Sequence, residues 1–166
     1  MSYLINHNNS SFSNSFEISG SKSESNRLII LNSIYKNLKI DNLSNSDDTV
    51  VLYKYVNNLE NYIDIHHAGT AMRFLTALLS IQKNKEFVIT GSKRMKQRPI
   101  EILVDALNNL GADISYKDKT GFPPLLIKGK EIVGGEISLS SDTSSQYISA
   151  LMLIAPILKN GLSINL

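Results

Sequence analysis

Apolar positions along this chain follow two rhythms, one helical and one strand-like. Three apolar runs come directly after small polar residues: LIILNSIYKNL after Ser25-Asn26-Arg27, MRFLTALLS after Gly69-Thr70, and QYISALMLIAPIL after Thr143-Ser144-Ser145. In each case capping oxygens or exposed amides suit a helix start. IEILVDALNNLGA sets Ile102, Leu103, Ala106, Leu107 and Leu110 on one face, with Pro99 ahead of it and Gly111 as C-cap. TVVLYKYVNNL fits a helix less well, because its β-branched residues suit a strand equally. Strand patterns lie in FEIS, YIDIHH, EFVIT, DISYKD, LLIKG, GEISLS and LSINL. Their order with the helices is that of a repeated β-α-β-α-β-β unit. NHNNSSFSNS and NLSNSDD read as loops, since their short side chains compete for backbone hydrogen bonds.

Composition narrows the function classes. A chain of 166 residues suits one domain with a sizeable core. Its net charge of +2 comes from 17 basic and 15 acidic residues without a basic stripe, which argues against nucleic-acid binding. The absence of cysteine removes disulfides, thiolate nucleophiles and thiolate metal sites. Neither a signal peptide nor an apolar run of about 20 residues is apparent, so a cytoplasmic location and no membrane partner are expected. The closing strand LSINL carries no cap or polar tail, and the chain is expected to be part of a longer protein.

Only four of the 17 basic residues are arginines: Arg27, Arg73, Arg94 and Arg98. All lie in three short polar segments, which suggests planar anions held by guanidinium forks. SGSKSESNR surrounds Lys22 with Gly20 and hydroxyls just before a helix, an arrangement suited to phosphate or carboxylate. It lacks the Walker A spacing. A solvated lysine at 22 and a structural ion pair at Arg27 also fit the local pattern. HHAGTAMR combines Gly69, which allows close backbone approach, with Thr70 as a cap and Arg73 one turn later. The adjacent His66 and His67 would point to opposite sides of a strand, one packed and one facing a cleft, and so not share a metal; no metal or other cofactor is expected. In SKRMKQRP the cations Lys93, Arg94, Lys96 and Arg98 repel unless an anion is near. Solvent suits the first three, a ligand suits Arg98. SSDTSSQY offers more donors at the third helix start than capping needs, and Met72, Met95 and Met152 read as core filler.

GSKSESNR at 20–27, AGTAMR at 68–73, RMKQRP at 94–99 and SSQY at 144–147 stand together in an order and spacing that resembles the N-terminal portion of the 5-enolpyruvylshikimate-3-phosphate synthase (3-phosphoshikimate 1-carboxyvinyltransferase) family. The resemblance covers most of residues 18–158. It implies an α/β (α+β) fold, an inside-out barrel lobe of the enolpyruvyl transferase type built from βαβαββ units and incomplete here. Residues 1–19 would open the first lobe, and 20–166 would form an incomplete second lobe with about two of three units and the start of the third. The implied activity is enolpyruvyl transfer from phosphoenolpyruvate to shikimate 3-phosphate, in chorismate and aromatic amino acid biosynthesis. Lys22, Gly69 and Arg98 would meet phosphoenolpyruvate, Lys22 and Arg98 with catalytic roles. Lys22, Ser23, Arg27, Ser144, Ser145 and Gln146 would meet shikimate 3-phosphate, and Thr70 and Arg73 would support the pocket. Arg94 would stand outside it.

The family's acid–base groups come from later in the chain, so these residues alone are expected to bind shikimate 3-phosphate weakly and to turn nothing over. The missing C-terminal half is the implied partner, and the full-length enzyme would be a monomer. Two departures stand out: His67 where the family often has asparagine, and Phe74 where it often has proline. The related transferase acting on UDP-N-acetylglucosamine normally uses a loop cysteine, which this chain lacks. A non-catalytic anion-binding or interaction module is the other alternative.

Overall fold

A computed structural model describes residues 2–4, 6 and 13–166. Its elements are α1 (Lys22–Tyr35), α2 (Asp47–Asn57), β1 (Tyr62–Asp64), α3 (Gly69–Ser80), β2 (Glu86–Thr90), α4 (Glu101–Asn109), β3 (Asp113–Tyr116), β4 (Leu125–Lys128), β5 (Gly135–Ser138), α5 (Ser145–Ile154) and β6 (Leu162–Asn165). Single 3-10 turns cover Met95–Gln97 and Ala155–Ile157. No helix among the described residues is long and apolar enough to cross a membrane.

Four strands form one mixed sheet in the order β1-β2-β4-β3. β1 runs parallel to β2, β4 is antiparallel to β2, and β3 is antiparallel to β4. The register sets Ile63 beside Ile89, Ile89 beside Leu125, and Phe87 and Ile114 beside Ile127. All six side chains are buried, so one face of the sheet is apolar, as the period-two pattern of the strands requires. Against that sheet lies α3, buried along its whole length. A helix apolar on all sides must be enclosed, and α1, α2, α4 and α5 complete the enclosure. Its buried hydroxyls are satisfied internally, Thr76 donating to Met72 O and Ser80 to Ala77 O, each at 2.7 Å.

β1-α3-β2-α4-β3-β4 is one closed βαβαββ unit, and β5-α5-β6, with β5 parallel to β6, repeats its first half. Residues 20–60 hold α1 and α2 and no strand. Their connection instead meets side chains of α1, as where Ser44 N donates to Ser25 Oγ. TVVLYKYVNNL is helical, with Asp47 and Asp48 in the first turn favouring that end electrostatically. α1 begins at Lys22, with Ser21 as N-cap, several residues earlier than the apolar run suggests. FEIS forms no strand: Phe16 and Ile18 are 78% and 80% exposed and find no sheet edge among the described residues. Most of the expected loop NHNNSSFSNS lies outside the described residues. α5 stops at Ile154 because Pro156 cannot continue the helix. Gly111, with φ of +103°, takes up the conformation that ends α4.

Candidate functional site

The starts of α1, α2 and α3 are stapled together. At Gly20 a Cβ would stand 1.9 Å from Asn42 O, so only glycine lets residues 18–21 lie against the α1–α2 connection. Asn42 Nδ2 donates to Ile18 O, and Thr49 Oγ1 of α2 donates to the buried Asn26 Oδ1 at 2.7 Å. Ser25 and Asn26, read from the sequence as part of a polar helix start, are thus interior clasps of α1 on α2. Asp48 completes the junction: its Oδ1 accepts from Thr70 N at 2.7 Å and its Oδ2 lies 3.9 Å from Lys22 Nζ. Thr70 does not cap α3. Ala68 holds the N-cap position without a side-chain bond, and a carboxylate from another helix caps it instead. Sequence reasoning missed Asp48, because NLSNSDD reads as a loop, whereas Asp47 and Asp48 open α2.

Two guanidiniums converge on Gly69. A Cβ there would lie 2.4 Å from Arg98 Nη1 and 3.0 Å from Arg73 Nη1, so the glycine supplies space that any side chain would fill. Arg73, only 7% exposed, donates through Nη1 to Gly69 O at 2.6 Å and stacks 5.5 Å from the Tyr147 ring centroid. Its buried Nε has no partner. Burial holds the Arg73 guanidinium below its usual pKa; Tyr147 pushes the other way and Arg98 adds to the depression. Tyr147 Oη donates to Pro99 O at 2.7 Å, which fastens the segment bearing Arg98 to α5. Arg98 itself is exposed after the 3-10 turn. An open depression of about 500 Å³ is lined by His67, Arg94, Met95 and Arg98. Arg94, read from the sequence as standing outside the pocket, thus shares this wall.

On the α5 side, Arg27 donates to Ser23 O at 2.8 Å and to Ser149 Oγ at 2.9 Å, with its guanidinium 5.7 Å from the Phe74 centroid. These partners are neutral oxygens and an aromatic face rather than a carboxylate. Ser149, a second residue that the sequence reading passed over, bridges α1 to α5. Ser144 is the N-cap of α5, its Oγ accepting from Gln146 N at 3.4 Å. Ser23, Ser144 and Ser145 are exposed and Gln146 is half-buried. Ser144, Ser145 and Gln146 join the remaining site residues through Tyr147 and Ser149, further along the same helix. Thr143 is buried with its Oγ1 unpartnered.

The histidines depart from expectation. β1 ends at Asp64, so His66 and His67 stand in a turn and not on a strand, and both are exposed. Neither is packed. His66 adopts φ of +49°, with its N–H donating to Asp64 Oδ1 at 2.8 Å, and His67 Nε2 lies 3.0 Å from Asp47 Oδ2. The described residues contain no cluster of three or more acidic, histidine or cysteine side chains poised on a metal.

The family model described as EPSP synthase (3-phosphoshikimate 1-carboxyvinyltransferase) matches residues 52–166. A relative with the name 3-phosphoshikimate 1-carboxyvinyltransferase, from Bacteroides fragilis (strain YCH46), is 52% identical over 151 residues, covering 90% of this chain and 37% of the relative. Another of that name, from Marinomonas sp. (strain MWYL1), is 40% identical over 174 residues, covering 89% and 41%. Among solved structures, EPSP synthase from Acinetobacter baumannii superposes with a TM-score of 0.73 at 22% identity, covering 84% of this chain and 38% of that one. That likeness establishes the fold. The chain spans about two-fifths of the length of the curated relatives it matches.

Proposed function

Because the chain belongs to the EPSP synthase family, we propose that it forms part of the site at which the enolpyruvyl group of phosphoenolpyruvate passes to shikimate 3-phosphate. A shikimate hydroxyl adds to the vinyl carbon, and elimination of phosphate from the tetrahedral adduct gives 5-enolpyruvylshikimate 3-phosphate, a step towards chorismate and the aromatic amino acids. The reading makes the whole protein a cytoplasmic transferase, with acid–base groups supplied by the part of the family's length that this chain does not span. Residues 1–19 then belong to the first lobe and 20–166 to the second.

The convergence of Arg98 and Arg73 on Gly69 carries this reading. Two cations held beside one glycine, at the start of a buried helix whose Thr70 amide Asp48 caps, gather positive charge suited to an anion at the open Arg98 side. Lys22, Gly69 and Arg98 are assigned to phosphoenolpyruvate, with Arg73 and Thr70 keeping that wall in shape. Ser23, Arg27, Ser144, Ser145 and Gln146 are assigned to shikimate 3-phosphate. Bringing two anionic substrates together against their repulsion needs fixed donors before any proton moves.

Calorimetric titration of the chain with shikimate 3-phosphate tests the assignment. Weak binding is expected, lost in Arg27→Ala and kept in Arg98→Ala. Equal binding by wild type and Arg27→Ala would overturn it.

A further inference from the structure

We propose that His67 is a proton-dependent contact of the anion bound beside Arg98, so that this seat strengthens as pH falls through the imidazole range. The inference rests on the anion-site reading above and adds a residue and a condition to it. His67 lines the same depression as Arg94, Met95 and Arg98 and stands two residues before Gly69, the glycine against the Arg98 guanidinium.

Its ring is oriented by one specific contact. Nε2 lies 3.0 Å from Asp47 Oδ2 at the start of α2, and a carboxylate can only accept, so Nε2 carries the proton in the neutral ring. Nδ1 is then left with a lone pair, which repels the oxygens of a phosphate or carboxylate. Protonation converts Nδ1 into a second donor and adds a positive charge to a wall that already holds two guanidiniums. Imidazole is the side chain whose ordinary titration falls between about pH 5 and 8. Asp47 of α2 faces the ring, and Arg94 and Arg98 line the depression with it; Asp64 pairs with the neighbouring His66. A bound anion offsets the arginines, so ligand and proton assist one another.

Sulfate is the suitable probe because its charge does not change over this range. Its affinity for the 166-residue chain is to be measured by calorimetry near pH 6 and pH 8 at fixed ionic strength, for wild type, His67→Asn, His66→Asn and Arg98→Ala. Wild type and His66→Asn are expected to bind about threefold to tenfold more tightly at the lower pH, the order that one added charge near a part-exposed anion provides. His67→Asn is expected to bind equally at both. A pH dependence that survives in His67→Asn, or one lost in His66→Asn, would overturn the proposal while leaving the anion site intact. Sulfate affinity indifferent to Arg98→Ala, or no sulfate binding by wild type, would overturn the site reading and this inference with it. His67 is exposed, so its replacement does not disturb packing.

Discussion

At the scale of single residues, the chain uses glycine and arginine as a complementary pair. Gly69 contributes by what it lacks: the volume of a methyl group is already occupied by Arg98 Nη1 and Arg73 Nη1. Both neighbours are the far ends of flexible side chains, so Gly69→Ala displaces guanidiniums and not backbone. On the assignment proposed above it is therefore expected to fold with nearly unchanged stability and to lose affinity for phosphoenolpyruvate by about tenfold or more, since the displaced Arg98 guanidinium is the donor assigned to that ligand. Parallel urea denaturation and phosphoenolpyruvate titration of the variant check this. A large loss of stability would mean that the glycine serves packing instead. The four arginines were visible in the sequence as a restricted set in polar segments. What could not be read was the difference among them: Arg73 is buried on Tyr147, Arg27 is engaged with Ser149, and Arg94 and Arg98 line the open depression.

At the scale of elements, helix starts are held by one another. Asp48 belongs to α2, accepts from the α3 backbone at Thr70 and stands near Lys22 of α1. A carboxylate in that position satisfies an otherwise unpaired amide and complements the α3 dipole. Asp48→Ala is accordingly expected to destabilise the chain by about 1–2 kcal/mol, the range of a lost cap with a buried donor left unpaired. Denaturant midpoints measure it, and an Asn at the same place should recover part of the loss. α3 itself was legible as a helix from MRFLTALLS. α2 was ambiguous, because TVVLYKYVNNL carries β-branched residues at positions that a strand would also use; packing against α1 and α3 settles the matter. FEIS shows the converse, a strand-like pattern that forms no strand and stays exposed, because a strand needs an edge to pair with.

At the scale of the whole molecule, the sheet and the enclosed α3 make one core, and its outer wall carries a titratable group. Tyr116, at the end of β3, has its pKa pushed up to about 12, chiefly by burial and then by Asp105 and Glu101 of α4. Its hydroxyl has no hydrogen-bond partner. A raised folded pKa favours the native state only while the ring stays protonated. The contribution is therefore complete below the unfolded value of about 10 and is lost as pH rises from there towards 12. One of the seven tyrosines should ionise late in an alkaline absorbance titration. Tyr116→Phe should remove that step and flatten the fall in stability over the same interval.

Local chemistry determined a good deal by itself. Apolar periodicity marked α3, α4 and α5 and all six described strands, with FEIS read as a seventh that does not form, because a helix or strand must turn one kind of residue inward whatever it packs against. The motifs marked Lys22, Gly69, Arg98 and Ser144 as ligand-facing candidates, because cations gathered near helix starts are costly without an anion, and small residues there leave backbone amides and hydroxyls open to one. Only the tertiary structure decided that Asp48 caps a helix other than its own, that Tyr147 ties α5 to the Arg98 segment, that Ser25 and Asn26 face inward, and that His67 shares a wall with Arg98. Each of these is a contact between residues distant along the chain, and the strength of such a contact depends on distance and burial, which no spacing along one strand of sequence encodes.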